Sequence, residues 1–256
     1  VSHYFCSDIH LRLDRPDRAE RLATWVRGLR ADDRLTIVGD LCDFWMASRQ
    51  YESGLLSCEG IKALLDFRAR GGALRIMAGN HDAWLCPSYE RVLGAEILTE
   101  PHELTAHGLR LHLVHGHLLG ARSRWKSWME SRRFHRAFGQ VPRPLASVLD
   151  QILEWKNQRS LEADEERHLR IYRNYTAGLR GRCDLVVIGH VHRPVDDRQS
   201  DPRLIVLGGW QRRSSYLRID PSGASFHVSD PGSTYAPRTP QAPRESPSPE
   251  PRFTGP

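Results

Sequence analysis

The sequence predicts an α/β fold: a layered sheet with its site on the loops at one end of the strands, interrupted by a helical insertion. Two observations carry this. Short apolar runs alternate with amphipathic helical stretches in the order β-α-β-α-β over residues 3–78. Five segments rich in ligating side chains are spread along the chain: Asp8-Ile9-His10, Gly39-Asp40-Leu41-Cys42-Asp43, Gly79-Asn80-His81-Asp82, His115-Gly116-His117 and Gly189-His190-Val191-His192. Four of them follow an apolar run (His3–Cys6, weakly, then Leu35–Val38, Leu74–Ala78 and Leu185–Ile188), so the polar groups fall where strands end. In open α/β sheets that end is where sites are built.

Residues 3–10 read as strand and loop. Pro16–Leu29 reads as a helix with Leu22, Trp25, Val26 and Leu29 at helical spacing, and Leu35–Val38 as a buried strand. Gly60–Arg70 is a second helix, with Ile61, Leu64, Leu65 and Phe67 inward, stopped by Gly71-Gly72 before the strand Ala73–Ala78. Glu96–Leu104 and Leu109–His115 read as strands joined by the turn His107-Gly108, and Cys183–Ile188, Arg203–Leu207 and Tyr216–Ile219 as later strands. Between them residues 120–182 lack strand signals and carry helical patterns at Trp125–Phe138 and Leu145–Gly178, a helical insertion over the site. Residues 229–256 hold eight prolines among Ser, Arg and Glu, a composition that cannot bury enough apolar surface to fold, so a disordered tail is expected. The catalytic domain is thus expected over 1–228, with the insertion at 120–182 as a lid.

At 256 residues the chain is long enough for one such core. Its 37 basic and 31 acidic residues leave a charge of +6, which favours an anionic partner. Five cysteines without a C-x-x-C pair read as reduced thiols. A strand-like run reaches Asp8 at once, and no apolar run approaches the roughly 20 residues of a membrane span. The expectation is a cytoplasmic protein, with at most peripheral attachment to the inner face of the cytoplasmic membrane.

Asp8, His10, Asp40, Asn80, His115, His190 and His192 offer three oxygen donors and four imidazoles. That mixture suits Mn²⁺, Fe²⁺ or Zn²⁺ better than Mg²⁺ or Ca²⁺, which prefer oxygen alone. Two such ions roughly 3.5–4 Å apart can hold a hydroxide and neutralise a phosphoryl group during in-line attack, and a carboxylate is the natural bridge between them.

In order and spacing, over residues 8–192, these segments resemble the calcineurin-like metallophosphoesterases, whose pattern is Asp-x-His, Gly-Asp-x-x-Asp, Gly-Asn-His-Asp, a later His and Gly-His-x-His. The resemblance implies a sandwich of two β-sheets flanked by helices. It implies one ion on Asp8, His10 and His192, another on Asn80, His115 and His190, and Asp40 bridging, with Mn²⁺ the expected metal. His81 would then lie over the scissile phosphate, oriented by Asp43, and Asn80 would also face the substrate. Read without the family, Asp43 also fits a loop-capping carboxylate, the weaker of the two readings.

Within the superfamily the chain is similar to the UDP-2,3-diacylglucosamine pyrophosphatases of lipid A biosynthesis, which release lipid X and UMP. The likeness rests on Ser7-Asp8-Ile9-His10-Leu11, Gly39-Asp40-Leu41-Cys42-Asp43-Phe44-Trp45, the insertion between His115 and Gly189, Gly189-His190-Val191-His192-Arg193-Pro194 and Val206-Leu207-Gly208-Gly209-Trp210. Two departures stand out: His81 and Asp43 keep the general phosphoesterase pair where well-known members of that branch carry Arg and a different acid, and His117 stands where many have Asp.

The insertion holds fourteen Lys/Arg against seven Asp/Glu. Trp125, Trp128, Met129, Phe134 and Phe138 interleave with the bases on one helical face. They either pack the insertion onto the core, or receive acyl chains and meet an anionic membrane surface. Arg122, Arg124 and Lys126, five to nine residues past His117, are placed to bind substrate phosphate. The alternatives are a metallophosphoesterase for another phosphodiester or phosphomonoester (nucleotide, phosphoprotein or nucleic acid), or a non-catalytic scaffold. No nucleic-acid module is visible, a scaffold has no need of so complete a donor set, and the sequence specifies no oligomeric state.

Overall fold

The structure is a computed structural model that describes residues 1–43, 54–120, 165–211 and 213–229. The first strands are β1 (His3–Cys6), β2 (Arg34–Val38) and β3 (Ala73–Met77), linked by α1 (Pro16–Arg27) and α2 (Glu59–Ala69). A 3-10 turn (Ala83–Leu85) and α3 (Cys86–Leu93) lead to β4 (Glu96–Leu98), β5 (His102–Ala106) and β6 (Leu109–Val114). Residues 165–177 are helical and are called α4. After it come β7 (Leu185–Ile188), β8 (Val195–Asp197), β9 (Arg203–Val206), β10 (Ser215–Asp220) and β11 (Gly223–Val228).

Among the described residues the strands form two sheets. The first has the order β11-β10-β1-β2-β3-β4 and the second β5-β6-β7-β9-β8. β1 to β4 pair in parallel, as do β6, β7 and β9, while β10, β11, β5 and β8 run antiparallel at the margins. The two-sheet sandwich flanked by helices is the expected fold. The helix Pro16–Arg27 starts with Pro at its first turn and Asp17 beside its positive end, and buries Leu22, Ala23, Trp25 and Val26.

Side-chain alternation explains why the central strands read as mainly apolar runs, broken in β2 by Thr36 and in β3 by Arg75. Phe5, Val38, Met77, Leu111, Leu113, Leu185, Val187 and Ile205 fill the space between the sheets. Their neighbours Cys6, Leu35, Ile37 and Ile76 face outward onto α1 and α2 with Leu22, Trp25, Ile61, Leu64 and Phe67. On the opposite side Val114, Val186, Ile188, Leu204 and Val206 meet Leu169 and Tyr172 of α4. A strand buried on both faces has few polar positions to spare. Within the second sheet's outer layer, His112 Nε2 lies 2.8 Å from the Tyr175 hydroxyl, and Arg173 Nε donates to Asp197 at 3.0 Å, which pins α4 to the strands below it.

One element differs from the sequence reading. The single strand expected over 96–104 is two strands in different sheets, β4 pairing with β3 and β5 with β6. Pro101 has no N–H to give a ladder, and Glu100 turns its carboxylate to the Gly116 amide, 3.0 Å away, so pairing stops there and the chain crosses between sheets. The 3-10 turn, α3, β8 and β11 are additions to the expected set. The segment 121–164, with most of the expected insertion and Arg122, Arg124 and Lys126, lies outside the described residues, as does the tail from 230. All five cysteines are free thiols. No helix among the described residues is long and apolar enough to cross a membrane.

Candidate active site

The loops that follow β1, β2, β3, β6 and β7 converge at one end of the sandwich. Pairing of the first two strands continues past their ends: Asp8 N donates to Gly39 O (3.1 Å), His10 N to Asp40 O (3.0 Å) and Leu11 N to Leu41 O (2.9 Å). This over-determined backbone holds Asp8, His10 and Asp40 at φ of 53°, 50° and 52°, with His190 at 65°. Left-handed φ costs a non-glycine residue about 1–2 kcal/mol, and such outliers gather at functional sites.

The seven side chains expected as ligands come together here, drawn from both sheets. Donor atoms of Asp8, His10 and His192 lie within 4.8 Å of one another, as do those of Asp40, His115 and His190. His10 Nε2 faces His192 Nε2 at 3.2 Å, and Asp8 Oδ1 is 3.8 Å from each ring. Asp40 Oδ2 is 3.9 Å from His10 and 3.4 Å from His115, so one carboxylate touches both groups. Asn80 Oδ1 completes the second group, 3.2 Å from His115 Nε2.

The electrostatics leave three of the ring donors in the form that binds a cation; at His115 burial opposes protonation but Asp40 and Asp8 outweigh it and raise its pKa to about 10, so a cation seated there has to displace that proton. Burial pushes the pKa of His10 down to about 3 and of His192 to about 4, and depresses that of His190 strongly, so all three rings are neutral. Asp40 is buried, which opposes ionisation, yet the cationic His115 and His81 beside it hold its carboxyl well below the usual range. Burial and the neighbouring Asp40 raise Asp8 to about 7. Its Oδ2 accepts the His190 amide at 2.8 Å, while Oδ1, fully buried, has no hydrogen-bond partner. His115 Nδ1 lies 2.9 Å from Val38 O, which fixes that nitrogen as donor and turns Nε2 toward two oxygens. Facing imidazole nitrogens, an orphaned carboxylate oxygen and a carboxylate between them fit a pair of divalent cations.

His81 stands beside the cluster. Its amide donates to Asp40 Oδ1 (2.9 Å), and its ring Nδ1 meets Asp43 Oδ1 at 3.0 Å. Burial works against its protonation, but Asp40 and the hydrogen-bonded Asp43 outweigh that and raise its pKa to about 9. Burial likewise opposes ionisation of Asp43, and His81 overcomes it to leave Asp43 an anion.

The sequence profile of the calcineurin-like phosphoesterases matches residues 3–194. The chain belongs to that family. As a calcineurin-like phosphoesterase it has relatives of nearly its own length. It is 25% identical over 236 residues to a UDP-2,3-diacylglucosamine hydrolase of Haemophilus influenzae, covering 89% of this chain and 98% of the relative. Proteins of the same name from Hahella chejuensis and Pseudomonas savastanoi are 29% and 27% identical, covering 86% and 88% of this chain and 93% and 94% of theirs. The family carries divalent metal ions, and the donor groups above are where this phosphoesterase can hold them.

Several residues of the phosphoesterase site gave no sequence signal of their own. Asp82, quoted only as part of a motif, is fully buried; its Oδ2 accepts from Leu41 N (2.8 Å), Cys42 N (3.3 Å) and Tyr89 OH (3.0 Å), and its Oδ1 from Gly79 N (2.9 Å). It ties the loop after β2 to the loop after β3. Asp82→Ala strands four buried donors and is expected to cost about 3 kcal/mol or more, read as a lower urea midpoint at unchanged slope; an unshifted midpoint refutes the clamp. Glu100 braces Gly116 and lies 3.7 Å from His117 Nδ1, and the His168 ring on α4 is 5.9 Å from that of His190. Arg12 reaches Asp43 from the loop after β1.

Proposed function

We propose that this phosphoesterase uses two divalent ions, Mn²⁺ in the first instance, to hydrolyse the pyrophosphate of an acylated UDP-sugar, UDP-2,3-diacylglucosamine, to lipid X and UMP. The observation that carries the reading is the single carboxylate, Asp40, shared by two donor groups. Relatives of that activity's name spanning most of the chain support the substrate. Asp8, His10, His192 and Asp40 would hold one ion; Asp40, Asn80, His115 and His190 the other. When bound, such a pair supplies an activated water and neutralises charge on the phosphoryl group.

The chain's own residues divide the remaining work. With Nδ1 engaged by Asp43, the cationic His81 ring would act toward the leaving oxygen through Nε2, as a hydrogen-bond or proton donor. The Asn80 amide nitrogen is available to a phosphoryl oxygen. Arg122, Arg124 and Lys126 take the diphosphate in this proposal, and the basic aromatic insertion meets acyl chains at an anionic membrane surface. A second reading has a specific observation in its favour: a protonated His81 held by Asp43 suits an alkoxide leaving group, as in a phosphodiester or phosphomonoester.

The test is hydrolysis of UDP-2,3-diacylglucosamine beside bis(p-nitrophenyl) phosphate, with Mn²⁺ and after chelation by EDTA. Lipid turnover well above diester turnover, lost with EDTA and restored by Mn²⁺, is the expected result. Diester turnover alone moves the conclusion to the second reading, and metal-independent turnover overturns both.

A further inference from the structure

Arg12 is 2% exposed, two residues beyond His10. An arginine keeps its charge when buried, so its partners reveal its role. Nε and Nη2 grip the two oxygens of Asp14, each at 2.9 Å, in a fork that fixes the guanidinium plane. Asp14 itself is half-exposed and acts as a brace from the solvent side. The remaining arm, Nη1, points inward to Asp43 Oδ2 at 3.4 Å. Asp43 Oδ1 is the atom that meets His81 Nδ1.

The backbone holds this chain of groups in register. Leu11 pairs with Cys42 as an isolated parallel bridge, and Asp43 N donates to Leu11 O at 3.1 Å. Arg12 and Asp43 are therefore presented from two stitched loops, with separation set by main-chain bonds. We infer that Arg12 is a positioning residue: braced by Asp14, it holds one oxygen of Asp43 so that the other locks the His81 ring over the site. The positioning is a property of the fold; what the locked ring does in turnover rests on the proposed function.

Two measurements separate these. The first uses methyl p-nitrophenyl phosphate and methyl phenyl phosphate, which differ in how much the leaving oxygen needs a proton. Arg12→Gln is expected to lower kcat on the phenyl ester about tenfold more than on the nitrophenyl ester, a part of the roughly 10²–10⁴ that such a donor contributes in full. KM stays level, Arg12→Lys recovers part of the loss, and adding Arg12→Gln to Asp43→Asn costs little more. Asp14→Asn, at an exposed position that leaves the fold intact, shows a smaller effect of the same pattern.

The second follows the His81 Nδ1 proton by NMR in the Zn²⁺-loaded, diamagnetic protein. The resonance is expected to be sharp in the wild type and shifted or broadened in Arg12→Gln and Asp14→Asn, with the amide spectrum retained. Equal slowing on both esters with the His81 resonance unmoved overturns the inference. A wild type inactive on both esters whose resonance still moves refutes the proposed function and leaves the positioning standing; an unmoved resonance refutes the positioning whatever the activity.

Discussion

Asp40→Asn is expected to abolish turnover and to leave the protein with fewer than two bound divalent ions. Asparagine keeps the shape of aspartate and tolerates the left-handed backbone at φ 52°, so the change isolates the charge from backbone strain. It removes the anion that, among the described residues, touches both donor groups, 3.9 Å from His10 and 3.4 Å from His115. It also weakens the hold on His81, whose amide donates to Asp40 Oδ1. Losing one preorganised electrostatic partner costs about 10²–10³ in kcat. Losing the shared one is expected to exceed that, since it disturbs both ions together. Metal content by native mass spectrometry, measured beside kcat, checks the expectation. Two ions per chain with kcat within tenfold of wild type would exclude Asp40 as the bridge.

Gly39→Ala is expected to damage the fold and the site together. Gly39 lies at φ +87°, and a Cβ there would land on the His115 ring, at Nδ1 and Cγ. Neither side can yield easily, because His115 Nδ1 is bonded to Val38 O and Gly39 O accepts the Asp8 amide. Overpacking of this kind, added to left-handed strain, is expected to cost about 3 kcal/mol or more, a fall in Tm of roughly 6–12 °C for a chain of this size. Turnover falls as well, since the ring can only escape by leaving the second donor group. A Tm within about 2 °C of wild type, with full activity, would show that the close approach does not exist in solution.

The strands and the loops carrying the candidate site were legible because their signals are local. A strand buried on both faces favours apolar residues throughout, and Leu185–Ile188 supplies that in four residues, as does Leu35–Val38 apart from the small Thr36. Ligating side chains keep their chemistry in any context, so Gly-Asn-His-Asp can be read before its neighbours are known. The pairing of β-sheets into a sandwich was not local. It came from the family resemblance, and the apolar run 96–104 gave no sign of changing sheets beyond Pro101. Val195–Asp197 escaped notice because two of its three residues are acidic, and Gly223–Val228 because an edge strand is only partly buried. Asp82, Glu100 and Arg12 were silent for another reason: the contacts that tie them to the site, Asp82 to the Leu41 amide, Glu100 to the Gly116 amide and Arg12 to Asp43, reach across the chain, which no spacing rule encodes.

The candidate donors of each ion come from loops of both sheets: Asp8 and His10 with His192, and Asp40 and Asn80 with His115 and His190. A cation seated on either set therefore fastens one half of the sandwich to the other, and it can do so only when the halves are closed. Binding confined to the folded state adds RT ln(1 + [L]/Kd), about 2.7 kcal/mol at a hundredfold excess over Kd. The resistance of this protein to unfolding is then not a fixed property of the chain. It rises and falls with the free divalent ion around it, so the same geometry that prepares the site for chemistry also makes the fold a gauge of metal supply.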